Sequence, residues 1–159
     1  MDWHVRAFLR SSLVWLSVGV TIGVGMAIRP VWLAYRPVHL HALLLGFVTM
    51  MIYGVAYHVI PRFAGRPLPS RSAAVLHWWL SNAGLALMAA GFLARARGIA
   101  AHPFLLGSGG MASACGAYLF AYLIWRTLGA PRELRAAAAR SAHDLRRAER
   151  DGLPLVTRR

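Results

Sequence analysis

Lysine is absent from this 159-residue chain, and carboxylates are scarce. All eighteen basic residues are arginine, set against five acids. Those acids sit at the edges: Asp2 at the start, and Glu133, Asp144, Glu149 and Asp151 in the tail. From Trp3 to Arg132 there is none. That gap excludes paired-carboxylate hydrolysis, acid-lined magnesium sites and carboxylate proton relays within a membrane. A single cysteine, Cys115, excludes an internal disulfide. No CxxCH occurs, so covalent c-type haem attachment is excluded as well. Apart from arginine, the titratable groups left between Trp3 and Arg132 are histidine, tyrosine and Cys115.

What remains is apolar. Hydrophobic residues make up 58% of the chain and charged ones only 14%, below the share in soluble domains, so lipid is the expected solvent. A hydrocarbon core of about 30 Å needs about 20 helical residues. Four stretches qualify: Ser11–Ile28, His39–Ile60, Ala73–Leu93 and Phe104–Trp125. Each has a proline or arginine at or near a boundary, as helix ends and headgroups favour. The first has a basic start and an apolar middle, as a signal peptide would. No A-x-A-like cleavage site precedes a soluble body, so it is expected to be retained. The predicted fold is an all-α membrane protein, a four-transmembrane-helix bundle over residues 1–128. Residues 129–159 form a basic tail, helical or partly disordered.

Arginine fixes the expected orientation. Arg6, Arg10, Arg62, Arg66, Arg71, Arg126 and the eight in the tail lie on one side, and Arg29, Arg36, Arg95 and Arg97 on the other. The positive-inside rule then places both termini in the cytoplasm of a bacterial inner membrane. The tail sequence PRELRAAAARSAHDLRRAER suits anionic lipid or a partner protein. Nucleic acid is not an expected partner, because no aromatics interleave its charges.

Against this background the histidines stand out. In this orientation His39, His41 and His102 fall near the outer face. His58, His77 and His4 fall near the inner face, and His143 lies in the tail. A lone interfacial imidazole needs only water or a headgroup. Five of them, in two layers on adjacent helices without carboxylate partners, point to haem or metal ligation. His39 and His41 are about 200° apart around a helix, so they cannot easily chelate one ion. Glycines recur at seven-residue steps: Gly46 after His39, Gly84 and Gly91 after His77, and Gly109 and Gly116 after His102. Such a face could accept a porphyrin plane, or could simply let two helices pack closely. The pair Gly19 and Gly23 reads as a packing notch. Met50, Met51 and Met88 would suit Cu(I), though methionine in a bundle is usually packing. The stretch LGSGG, Leu106–Gly110, lacks a persuasive histidine partner for a serine nucleophile.

The segment RPVHLHALLLGF resembles the second helix of the catalytic subunit of haem–copper oxidases and nitric-oxide reductases. There an R-P-x-H stretch supplies an axial ligand to the low-spin haem b, with a Phe eight positions on. His39 and Phe47 match those positions. In other branches the ligand His is followed by Ala, which matches His41–Ala42. Both histidines therefore remain candidates. GVAYHVIPRFAGRPL and LHWWLSNAGL look like small four-helix proteins described as oxidase subunit I-like, and nitric-oxide-response membrane proteins carry similar His-rich helices. The resemblance covers Arg36–Gly91. It implies an electron-carrying b-type cytochrome with one or two haems b. The family's copper ligands, active-site Tyr and high-spin haem ligand lie on helices outside these four, so no haem–copper centre is expected from one protomer. His102, or a His from a second protomer, would replace the second low-spin ligand.

In the two-haem form, His39 or His41 pairs with His102 and His58 pairs with His77. On a regular helix His58 lies about 100° around from either His39 or His41, so a single outer haem is the other form. Arg36 is placed to pair with a haem propionate. The expected partners are membrane lipid, a homodimer mate or a larger respiratory complex, and a cytochrome c or quinone. The alternative is a structural, assembly, copper-handling or nitric-oxide-responsive subunit without electron transfer.

Overall fold

The computed structural model describes residues 2–129 without a break, together with 140–144, 146, 147 and 150. It divides into two units, Met1–Leu128 and Gly129–Arg159. The described part of the tail is helical, with an ion pair of 3.7 Å between His143 and Asp144. The rest of the tail lies outside the described residues.

The first unit is all-helical. Its four helices, each long and apolar enough to cross a membrane, are α1 (Trp3–Ile28), α2 (Pro30–Phe63), α3 (Arg71–Ala96) and α4 (His102–Leu128). All four overrun the spans expected from hydropathy. The apolar window marks only the stretch that a hydrocarbon core requires, and helical bonding runs on past it into polar residues such as Arg6 and Arg10 of α1. Pro61 does not end α2, which runs on to Phe63. So near the terminus the proline forfeits only the bond its missing N–H would have made to Tyr57. Ser70 caps α3 by accepting from the Ala73 N–H at 3.2 Å. Gly98, at φ 70°, closes it in a left-handed turn, with the Ile99 N–H donating to the Ala94 carbonyl at 2.9 Å.

Helix α2 is not regular. It opens with a 3-10 stretch, Pro30–Tyr35, and a short α segment, Arg36–His41. A π-helical stretch, Ala42–Thr49, follows, and the α-helix resumes over Met50–Phe63. Thr49 Oγ1 follows the wider spacing and donates to the carbonyl five residues back, Leu44, at 2.8 Å. Because π bonding takes more residues per turn, the phase of His58 against His39 and His41 departs from the value for a regular helix.

Helices α3 and α4 meet backbone to backbone. A Cβ added at Gly109 would lie 2.7 Å from the Gly84 oxygen and from the Met88 nitrogen. One added at Gly84 would lie 2.7 Å from the Ser113 nitrogen. Only glycine permits that approach. Elsewhere the core is small, centred on Phe8, Met50, Tyr57, Leu85 and Leu123. Large apolar side chains face outward instead, with Phe104 76% and Trp125 80% exposed. Such a surface matches a lipid solvent, which removes the penalty for exposing apolar groups.

Candidate functional site

At one end of the bundle, the starts of α2 and α4 carry His39, His41 and His102. His39 points toward α1, where its Nδ1 lies 2.8 Å from the Gly19 carbonyl. Gly23 makes room for the ring, since a Cβ there would come within 2.9 Å of His39 Cε1. His41 turns toward α3, its ring tilted against Phe92 at 4.8 Å, with Nδ1 2.8 Å from the Pro37 carbonyl. His102 places Nδ1 2.9 Å from the Ile99 carbonyl. A carbonyl can only accept, so in all three rings Nδ1 carries a proton, and in the neutral ring Nε2 keeps its lone pair. None of these Nε2 atoms makes a hydrogen bond among the described residues. A metal-ligating histidine is usually oriented in this way. His39 differs from the others in that its anchor lies on a neighbouring helix. No hydrogen bond or ring contact joins His102 to His39 or His41. Arg36 is exposed and has no acidic partner among the described residues.

At the other end, His77 is fully buried among Phe8, Tyr53 and Phe120, with ring centroids 4.4 to 5.6 Å away. Its Nδ1 lies 2.8 Å from Tyr57 Oη, and its Nε2 has no partner. Tyr57 also meets the edge of His4 at 5.5 Å. The structure therefore sets Tyr57, not His58, against His77. His58 is half-buried and accepts at Nδ1 from Arg62 at 2.8 Å. That bond leaves the proton on Nε2, the tautomer unsuited to ligation through Nε2. Tyr57 was not singled out from the sequence, and one residue from His58 in an apolar run it gave no signal.

The donor set at the His39 end fits axial ligation of a haem, but a slot for the macrocycle inside one bundle does not exist at the glycine faces. A Cβ at Gly46 would meet Trp15 at 2.5 Å. Gly84, Gly91 and Gly109 are closed by the α3–α4 contact, and Gly116 by Ser81 and His77. The seven-residue glycine steps therefore serve helix packing. Cavities of about 600, 340 and 210 Å³ are lined by none of the five candidate histidines. Among the described residues no three His, Cys, Asp or Glu side chains gather to hold a metal ion. Met51 and Met88 sulfurs face Ser12 and Ser113 hydroxyls at 3.9 and 3.8 Å.

Gly19 and Gly23 emerge as supports of a candidate ligand. The sequence showed them, but only as a packing notch, a role Gly19 also fills against Leu43. No protein-family model matches the chain, and a search of curated proteins found no match.

Proposed function

We propose that this chain is a membrane b-type cytochrome that carries electrons, with haem held at the His39 end by His39 or His41. The observation that carries the reading is the shared state of the three imidazoles there: Nδ1 committed to a carbonyl, Nε2 free. The interhelical anchor on Gly19 favours His39. The Arg62 bond on His58 and the sealed surroundings of His77 favour one haem over two. Because the glycine faces are filled by helix contacts and Trp15, the macrocycle would lie on the bundle's flank. A second protomer, or a partner in a respiratory complex, would close that flank and supply the other ligand if His102 does not. Arg36 would pair with a propionate. A bound haem supplies one-electron transfer, and the protein's part is to ligate it, hold its plane and exclude water. The setting that fits is a bacterial inner membrane with both termini cytoplasmic, and a cytochrome c or quinone as redox partner.

The test is a visible spectrum of protein purified from haem-replete cells, oxidised and dithionite-reduced, with pyridine-haemochrome quantitation. Sharp b-type bands that disappear with His39→Ala support the reading. The absence of any haem band refutes it and leaves the structural, assembly, copper-handling or gas-responsive alternatives.

A further inference from the structure

A groove of about 600 Å³ runs between α1 and α3. Two bonds of equal register hold its walls together: Trp78 Nε1 donates to Ser11 Oγ at 3.0 Å, and Trp15 Nε1 donates to Asn82 Oδ1 at 3.3 Å. Arg6 and Arg10 stand along one end, and Val14 and Ala86 line the deeper part. Both arginines are exposed, and neither has an acidic partner among the described residues. The nearest carboxylate, Asp2, lies one turn before Arg6 but pairs with Arg71 at 4.0 Å, and the sequence has no other before Glu133.

The hydrogen-bonding capacity left over in the groove is one-sided. Ser12, Ser17 and Thr21 on the same helix each donate back to a carbonyl of α1. The Ser11 hydroxyl accepts from Trp78 but has no acceptor for its own proton. Asn82 uses its carbonyl on Trp15 and one N–H on the Trp78 carbonyl at 2.9 Å, which leaves its second N–H unspent. The groove thus presents two unpaired guanidiniums near one end, two neutral donors further in, and an apolar deep end. A ligand complementary to it is an acceptor-rich anion with a hydrocarbon tail. A quinol, which must also donate, finds no uncommitted carbonyl or carboxylate among these side chains.

We propose that the groove binds one anionic phospholipid. Its phosphodiester lies against Arg6 and Arg10, an ester carbonyl accepts from Ser11 and Asn82, and one acyl chain follows Val14 and Ala86. This proposal is independent of haem binding.

The test uses full-length protein in mild detergent and the fluorescence of its own tryptophans, since Trp3, Trp15 and Trp78 line the groove. Phosphatidylglycerol and phosphatidylcholine carrying the same dibrominated chains are titrated in parallel. Contacts with bulk lipid quench equally for both. The expected result is an added, saturable quenching by phosphatidylglycerol, at one lipid per chain. In Arg6→Gln/Arg10→Gln its affinity should fall roughly 30-fold, with phosphatidylcholine quenching unchanged. Arg66→Gln, on a separate basic cavity, should keep the wild-type value. Equal quenching by the two lipids overturns the proposal, as does an excess that survives the double substitution. Full displacement by inorganic phosphate, or by glycerophosphoglycerol without chains, identifies a free-anion site and overturns it too.

Discussion

Alanine at Gly109 and at Gly110 should have opposite effects on stability, although the two residues adjoin. At Gly110 a Cβ meets nothing within 4 Å. There, the change removes the conformational freedom of glycine in a helix and stabilises by about 0.5–1 kcal/mol. At Gly109 the same gain is opposed by contact with two backbone atoms at 2.7 Å. Neither atom can rotate away. Reaching the tight-contact limit of 3.4 Å requires α3 and α4 to part by about 0.7 Å, the difference of those two distances. Overpacking of that kind costs about 1–3 kcal/mol. The two variants should therefore differ by about 1–3 kcal/mol, since the helical gain is common to both. For a chain of this size that is a gap in Tm of about 2–12 °C. The assay is thermal unfolding in mild detergent, followed by circular dichroism. Gly107→Ala, also in open space, should track Gly110→Ala. Equal shifts for Gly109→Ala and Gly110→Ala would refute the backbone contact between α3 and α4.

Four further outcomes are expected. His39→Ala should lose haem or turn it high-spin, whereas His41→Ala should keep its low-spin reduced spectrum; the reverse pattern assigns the ligand to His41. Gly23→Ala pushes on His39 Cε1 and should weaken haem retention by about 10–100-fold through the Gly19 anchor, read by transfer of haem to apomyoglobin. Tyr57→Phe removes the one hydrogen-bond partner of His77 among the described residues and should cost about 1–3 kcal/mol; an unchanged melting curve would show that the bond contributes nothing. Topology reporters fused at Arg66 should be active on the cytoplasmic side and those at Arg97 on the opposite side, and cytoplasmic activity at Arg97 would reverse the orientation.

Much of the architecture was legible because lipid imposes a simple rule: a span must be apolar, helical and long. The four spans followed from that rule. Helix ends were less legible, since hydropathy stops at the hydrocarbon boundary while backbone bonding runs on to residues such as Trp3 and Phe63. The π stretch was not legible at all, because Ala42–Thr49 is apolar up to Thr49, carries no proline, and its one glycine, Gly46, is common in membrane helices. At the candidate site, the opposed directions of His39 and His41 follow from helical phase. The glycine steps misled because spacing cannot show what fills a gap, and here it is a helix or Trp15. The Tyr57–His77 bond depends on which faces of α2 and α3 meet, and the π stretch earlier in α2 sets the phase of Tyr57.

That stretch makes α2 a phase element. Each residue added to or removed from a helix turns everything beyond it by about 100° and shifts it by about 1.5 Å. If Ala42–Thr49 tightened to ordinary α winding by one residue, Met50–Phe63 would rotate as a block. Tyr57 would leave His77 and present a neighbour to Phe8 and Phe120. The Tyr57–His77 bond and the Thr49–Leu44 bond are therefore two clasps on one winding, the first at its far end and the second within it. A change in that winding would therefore meet the aromatic rings packed round His77 as a rotation of Tyr57.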